Sequence, residues 1–416
     1  MKVYVIHMVG KFSQEIEVSG HLVDSSILSR IFNVIVDVNG EFEVLEINIG
    51  KKKHDESYAR LSVWGKNFTH LNKILELTYR EGASSKLQKE VKLKAAQKDM
   101  VMPINFYSTT NNRTKIYLHK KWINVTNTMM DKCIIVKKST AMCIPIREVR
   151  RGDLIVVGED GVQVTPPVRP RDGTNVFEFM GSGGSSERPT QHIAKNLAKD
   201  IIDIKKSKGK VVLVGGPAIV HTGAADAIAE MIKQGYIGAV LAGNALAVHD
   251  IEYATLGTSL GMNVKDGTLA VKGHRNHMDT VNAVFESGSI KNMIKKGKLK
   301  KGIMYECVKQ HIPFVLAGSI RDDGPLPDVI TDVVEAQKLY KNVLKDAKMV
   351  MMVSTMLHSI ATGNMLPADV KVIIVDINQP TVTKLMDRGT WQALGIVTDV
   401  GAFMPMLATH IKKITK

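Results

Sequence analysis

Lys210–Gly257 reads KVVLVGGPAIVHTGAADAIAEMIKQGYIGAVLAGNALAVHDIEYATLG. The runs KVVLVGG and IGAVLAGN are continuously apolar and do not alternate. Each closes on glycine, the second with Asn244 after it, and leads to a helical stretch, AADAIAEMIKQG or ALAVHDIEYATLG. A strand apolar on both sides must be covered on both sides, which is the condition of a parallel sheet flanked by helices. The same texture continues downstream, with PFVLAGSIRDDG before DVVEAQKLYKNVLK, then AKMVMMVST, VKVIIVDINQP before TVTKLMDRG, and GIVTDVG. Residues 176–416 are therefore expected to form a doubly wound, Rossmann-like α/β domain.

The chain before it has a different rhythm. EIEVSG, FEVLEINIG and YARLSVWG read as strands, and DSSILSRIFNVIVDVNG reads as a helix. That helix aligns Leu28, Ile31, Ile35 and Val38 on one face, with Asp24 placed to cap it. A second helix is expected around Phe68–Tyr79, so residues 1–100 form a small α+β module. Residues 83–100, rich in Lys and Gln, read as a linker or an exposed helix. From 101 to 175 the β-branched runs KIYL, CIIVKK, CIPI and DLIVVG indicate a β-rich subdomain, closed by the turn residues of TPPVRPRDG.

Composition narrows the classes. In 416 residues, 44% are hydrophobic and 23% charged, which excludes disordered and collagen-like chains. The net charge of +15 raises nucleic acid as a partner, but the lysines are spread and not interleaved with aromatics, as a base-stacking platform requires. Cys133, Cys143 and Cys307 lack CxxC spacing, and the histidines show no convincing metal spacing, so no metal is expected. His274 and His277 read as structural or phosphate-contacting. With too short an apolar start for a secretion signal, the thiols point to a reducing cytoplasm. The uncharged run Met349–Ala368 contains Gly363 and Pro367 and reads as a strand plus a loop, not a membrane span.

In a doubly wound sheet, ligands sit beyond the carboxyl ends of the strands. Four strand-end loops have the composition for it. Gly215-Gly216-Pro217, leading to His221, lets a ligand approach the backbone. Gly243-Asn244-Ala245 offers Asn244 either as a contact to a carboxamide or ribose, or as a helix cap. The polar turn Ser354-Thr355-Met356-Leu357-His358 precedes a strand ending in Asp376, 21 residues beyond Thr355. That interval suits a carboxylate that holds a ribose diol, and Ile377-Asn378 after it favours NAD over NADP. The alternative is an Asp that caps its own turn. Last, Gly318–Asp328 carries Arg321, Asp322 and Asp323, a cation and acids fit for a zwitterion such as an amino acid, or else a solvated turn. Asp399, after GIVT, lies on the same rim.

These segments resemble a known family. SGHLVDSSILSRIFNVIVDVNGEFEVLEINIGKKKHDESYARLSVWG is similar to the conserved region named after lysine-ketoglutarate reductase/saccharopine dehydrogenase. FYSTTN, CIPIREVRRGDLIVVGEDGV, FMGSGGSSERP, LAGNALAVHDIE and SIRDDGPLPDV resemble the archaeal ornithine cyclodeaminases, a domain that also forms the C-terminal half of cyanobacterial arginine dihydrolase/ornithine cyclodeaminase proteins. No dihydrolase half precedes Met1, so arginine hydrolysis is not implied. The resemblance implies an ammonia-lyase that turns L-ornithine into L-proline with NAD as cofactor. It implies NAD contacts at Asn244, Ala245, Asp323, Thr355, Met356, Leu357, His358, Asp376, Asp399 and Val400, so the cofactor competes with the amino acid for Asp323. For the catalytic roles the expectation is Arg321 or Lys384 for the substrate carboxylate, Asp322 for the distal ammonium, and His221 or His358 for proton movement.

The expected partners are a small amino acid and further copies of the chain, with neither nucleic acid nor membrane. Two alternatives stand beside the cyclodeaminase: a net NAD-dependent dehydrogenase or transferase for another basic amino acid, lysine- or saccharopine-like, and an NAD-sensing basic RNA-binding or regulatory protein.

Overall fold

The computed structural model describes residues 12–165 and 190–415, except residues 21, 23–25, 51–54, 56, 86–88, 265, 266, 269, 271, 272, 323 and 389–392. The chain divides into two compact units, Met1–Asn175 with Pro367–Asp369, and Val176–Leu366 with Val370–Lys416. The first holds two sheets. β1 (Phe12–Gly20), β2 (Glu41–Asn48), β3 (Ser57–Gly65) and β4 (Ser84–Ser85) form an antiparallel sheet in the order β2-β3-β1-β4, joined by α1 (Ile27–Asp37) and α2 (Phe68–Arg80). Ile31 and Ile35 of α1 share a core with Ile16, Leu61 and Val63 of the sheet, and Leu28 and Val38 pack against it. The expected helical face is thus the packed one. The cap differs, because Ser26 occupies that position without a side-chain bond, and Asp24 lies outside the described residues.

β5 (Lys92–Ala95), β6 (Arg113–Leu118), β7 (Lys121–Thr126), β8 (Cys133–Lys137), β9 (Thr140–Ile144), β10 (Leu154–Val157) and β11 (Val162–Thr165) form the second sheet, in the order β11-β6-β7-β9-β8-β10-β5. The stretch expected to be a linker or an exposed helix contains β4 and β5 instead. Lys92 and Lys94 are exposed on a sheet edge while Leu93 packs inward, so the lysines mark a guarded edge and not an unstructured segment.

The second unit begins with α3 (Thr190–Lys206), β12 (Lys210–Gly215), α4 (Ala218–His221), α5 (Ala225–Lys233), β13 (Ala239–Gly243) and α6 (Asn244–Leu256). The hairpin β14 (Thr258–Ser259) and β15 (Met262–Asn263) leads to α7 (Asn276–Ser287), α8 (Ile290–Lys295) and α9 (Ile303–Lys309). Then come β16 (Phe314–Ala317), β17 (Val329–Ile330), α10 (Val333–Leu344), β18 (Ala347–Val353), α11 (Leu357–Gly363), β19 (Lys371–Asp376), α12 (Gln379–Arg388), β20 (Ala393–Val397) and α13 (Val400–Thr415). The loop expected after β18 therefore contains a short helix, α11. No helix among the described residues is long and apolar enough to cross a membrane.

Apart from the antiparallel β14–β15 hairpin, the described strands of this unit form one seven-stranded parallel sheet in the order β17-β16-β13-β12-β18-β19-β20. The chain runs outward from β12 to β17, returns to the middle at β18, and winds the other way to β20. The continuous apolar runs have the predicted cause: Val212, Val214, Leu241, Val350 and Ile374 bury on one face, and Val211, Leu213, Val240, Met351 and Ile373 on the other. Each such side chain contributes on the order of 1.5–3 kcal/mol by leaving water.

Direction reverses between β12 and β18, and there the two strand ends nearly touch. A Cβ on Gly216 would lie 1.9 Å from the carbonyl oxygen of Ser354. Gly216→Ala is expected to force the two turns apart and cost about 1–3 kcal/mol. A urea melt checks this, with a lower midpoint and an unchanged slope.

Candidate active site

The reversal point builds one half of the site. Gly216 donates its N–H to the Val353 carbonyl at 2.9 Å, and Ser354 donates its own to Val375 at 2.9 Å, so β12, β18 and β19 stay laced together to their ends. Ser354 adopts the left-handed region, with φ 48°, and turns the chain into α11. Thr355 is half-buried behind this turn, while Met356 and Leu357 are exposed at its crest. Asp376 ends β19, and one of its oxygens accepts the Asn378 N–H at 2.8 Å. Asp399 follows β20 and accepts the Gly401 N–H at 2.8 Å, with Val400 buried behind it. Both acids therefore hold their own turns, and in each the second oxygen is not engaged by a described residue. Turns too close for a side chain, beside a strand-end carboxylate, fit a dinucleotide laid along the crevice.

The other half is a cavity of about 340 Å³ lined by Asn244, Ala245, His249, Leu260, Gly273, His277, Arg321 and Asp322. Gly243, with extended backbone, begins α6, so Asn244 is its first helical residue and does not cap it. Its side chain is buried and crosses to the loop after β16. Asn244 Oδ1 accepts the Leu326 N–H at 3.0 Å, and Nδ2 donates to the Gly324 carbonyl at 3.5 Å. In that loop Asp322 accepts the Ser319 N–H at 2.8 Å, which sets a tight turn and presents Arg321 and Asp322 side by side. A guanidinium and a carboxylate on one wall complement the two ends of a zwitterion.

His358 links the halves. It stands in the first turn of α11, its Nδ1 lies 3.3 Å from the Tyr340 hydroxyl, and a Cβ on Gly243 would meet its Nε2 at 2.6 Å. Burial lowers its pKa, and the nearby Asp322 opposes that shift. His221, at the end of α4, places Nδ1 2.6 Å from the Ser259 hydroxyl. Burial first, and then His249, push it down to about 4, so it is neutral at physiological pH.

Of the predicted residues, Asn244, Ala245, Arg321 and Asp322 converge on the cavity, while Thr355, Met356, Leu357, Asp376, Asp399 and Val400 lie along the strand-end rim. Lys384 is exposed on α12 and does not line the cavity. Asp323, the FMGSGGSSERP segment and the His274 side chain lie outside the described residues. Sequence reasoning gave no role to His249 or Glu252, and it read His277 as structural or phosphate-contacting. The rings of His249 and His277 are 5.0 Å apart, and donor atoms of all three residues lie within 4.8 Å of one another. The signal was present in α6, where His249, Asp250 and Glu252 interrupt a helix otherwise apolar enough to be buried.

Comparison with known proteins places the chain. Residues 13–112 match the LOR/SDH bifunctional enzyme conserved region, 113–194 the first region of the C-terminal part of arginine dihydrolase ArgZ-like proteins, and 195–407 the Rossmann fold of that part. A Methanocaldococcus jannaschii protein named ornithine cyclodeaminase is 52% identical over 412 residues, covering 97% of each chain. The apo crystal structure of ArgZ, an arginine dihydrolase of the cyanobacterial ornithine-ammonia cycle, matches with a TM-score of 0.85 and 34% identity, over 100% of this chain and 61% of that one. The ternary complex of AgrE with ornithine and NAD+ matches with a TM-score of 0.54 and 39% identity, over 98% of this chain and 59% of that one. With half of its sequence shared with the archaeal proteins along nearly their whole length, the chain is an enzyme of the ornithine cyclodeaminase family.

Proposed function

We propose that this chain converts L-ornithine to L-proline and ammonia with bound NAD, by internal hydride transfer. The observation that carries the reading is the cavity whose wall pairs Arg321 with Asp322, with His358, from the turn after β18, close to Asp322 and Gly243. Support comes from the relatives' names and from the AgrE complex, which holds ornithine and NAD+ together.

What the cofactor supplies when bound is storage of one hydride, removed from the substrate α-carbon and returned to the cyclised product, so that no net oxidation occurs. The protein's task is to keep both partners in place through the two transfers. The free oxygen of Asp376 is suited to the ribose hydroxyls, and Gly216 lets the pyrophosphate approach the backbone. Arg321 forks onto the substrate carboxylate and Asp322 holds the distal ammonium. Asn244, at the start of α6 and bonded to the loop after β16, fixes the distance between the cavity walls. Of the two cations considered for the carboxylate, Arg321 fits and Lys384 does not.

Incubation of the protein with ornithine is expected to release proline and ammonia in equal amounts without accumulating reduced nicotinamide. Accumulation of reduced nicotinamide without proline would instead support the net dehydrogenase. Asp376→Ala is expected to weaken NAD binding by about 1–3 kcal/mol, the loss of a charged acceptor, measured by calorimetric titration. Arg321→Gln is expected to raise KM for ornithine roughly 10–100-fold, whereas Lys384→Gln leaves it unchanged; steady-state kinetics separates the two.

A further inference from the structure

α6 is buried almost all round, yet it carries His249, Asp250 and Glu252. Asp250 has a structural use: its oxygens accept the N–H groups of Ile303 and Met304, at 2.9 and 2.8 Å, at the start of α9. Glu252 has no such duty to another helix. Its Oε1 accepts from the Thr258 hydroxyl at 2.8 Å and from the Gly261 N–H at 3.1 Å, and its Oε2 lies 3.2 Å from His249 Nδ1. Asn276 donates to the Thr258 oxygen at 2.9 Å, which leaves the Thr258 hydrogen for Glu252. Burial alone would raise the Glu252 carboxyl, but the bonds from His249, Thr258 and Gly261 outweigh it and hold it below its ordinary value.

An ionised carboxylate only accepts, so His249 carries its hydrogen on Nδ1. Nε2 is then the basic nitrogen, and it has no hydrogen-bond partner among the described residues. His249 lines the cavity with Arg321 and Asp322. His277 lines the cavity as well, its ring 5.0 Å from that of His249, whereas the two histidines expected from sequence are differently placed. His221 is tied to Ser259, and His358 sits between Tyr340 and the Gly243 backbone.

Resting on the reaction proposed above, we infer that His249 Nε2 is the general base that takes a proton from the substrate α-ammonium, and that Glu252 is the positioning residue that fixes its tautomer and balances the imidazolium charge. The α-ammonium gives one proton to Nε2, and the distal ammonium gives one to the departing nitrogen as its own nitrogen bonds to the α-carbon. The α-carbon's first C–N bond then breaks, and the proton held at Nε2 leaves with the ammonia. Ornithine, with one net positive charge, thus gives neutral proline and an ammonium ion, and no proton is gained or lost. The spacing of His249, Glu252 and His277 would also admit a divalent cation. The bonding argues for the proton, because a cation at His249 Nδ1 would have to displace the hydrogen that Glu252 accepts.

The test compares the wild-type protein with His249→Gln and Glu252→Gln, measuring proline formation, NAD affinity and, in the wild type, the nitrogen shifts of labelled histidine. His249→Gln is expected to lower kcat by about 10²–10⁴-fold with little change in NAD affinity, and Glu252→Gln to lower it less. Neutral His249 is expected to be protonated at Nδ1. An active wild type together with an equally active His249→Gln overturns the base. So does a neutral His249 protonated at Nε2, which is read on the wild-type protein even where a variant fails to fold. Activity abolished by a chelator and restored by a divalent cation overturns it as well. A wild type that makes no proline overturns the reaction itself, a result distinct from the others.

Discussion

Everything in the larger unit is arranged by the pairing of β12 with β18. These strands are far apart in sequence, adjacent in the sheet and parallel, with Val211 to Gly215 in register with Met349 to Val353. Parallel strands with helical crossovers must all end on the same edge, so every functional loop emerges on one side of the sheet. Because the chain winds away from this pair in both directions, the loops after β12 and β18 diverge and leave a crevice. Gly216 against Ser354 is where that arrangement is tightest. A side chain there would oppose the ladder bonds that hold β12, β18 and β19 together.

Much of this was legible in the order of residues. Unbroken apolar strands followed by glycine turns specify burial on both faces, and burial on both faces admits few architectures. The placement of Asp376, Asp399 and the pair Arg321–Asp322 at one edge of the sheet was also legible, because each ends a strand or follows one. Asn244 was legible as a strand-end residue but not in its contacts: its partners Gly324 and Leu326 lie in another loop, and no local rule gives that distance. Lys384 was misjudged because a cation near a strand end in sequence can face outward on the next helix. Residues 83–100 were misread because lysines on an edge strand have the composition of a linker.

The polar group on α6 was the least legible, and physical reasons explain why. His249 and Glu252 are one helical turn apart, but Thr258, Gly261 and Asn276 reach them only because the β14–β15 hairpin and the start of α7 fold back over the helix. A buried carboxylate whose partner is removed typically costs about 3–5 kcal/mol, so such a network exists complete or not at all. That cost makes it informative. A helix can bury leucine at small expense, so the carboxylate of Glu252 in the interior, with its bonds met, is not what packing alone requires.

The two bonds of Asn244 also bear on how this scaffold can change over time. They join the start of α6 to Gly324 and Leu326, so the segment that presents Arg321 and Asp322 is held between the end of β16 and one buried side chain. Inserting or deleting a residue there would break the match, whereas exchanging an exposed side chain would not. Descendants of this chain would therefore acquire new substrates by substitution along a loop of constant length.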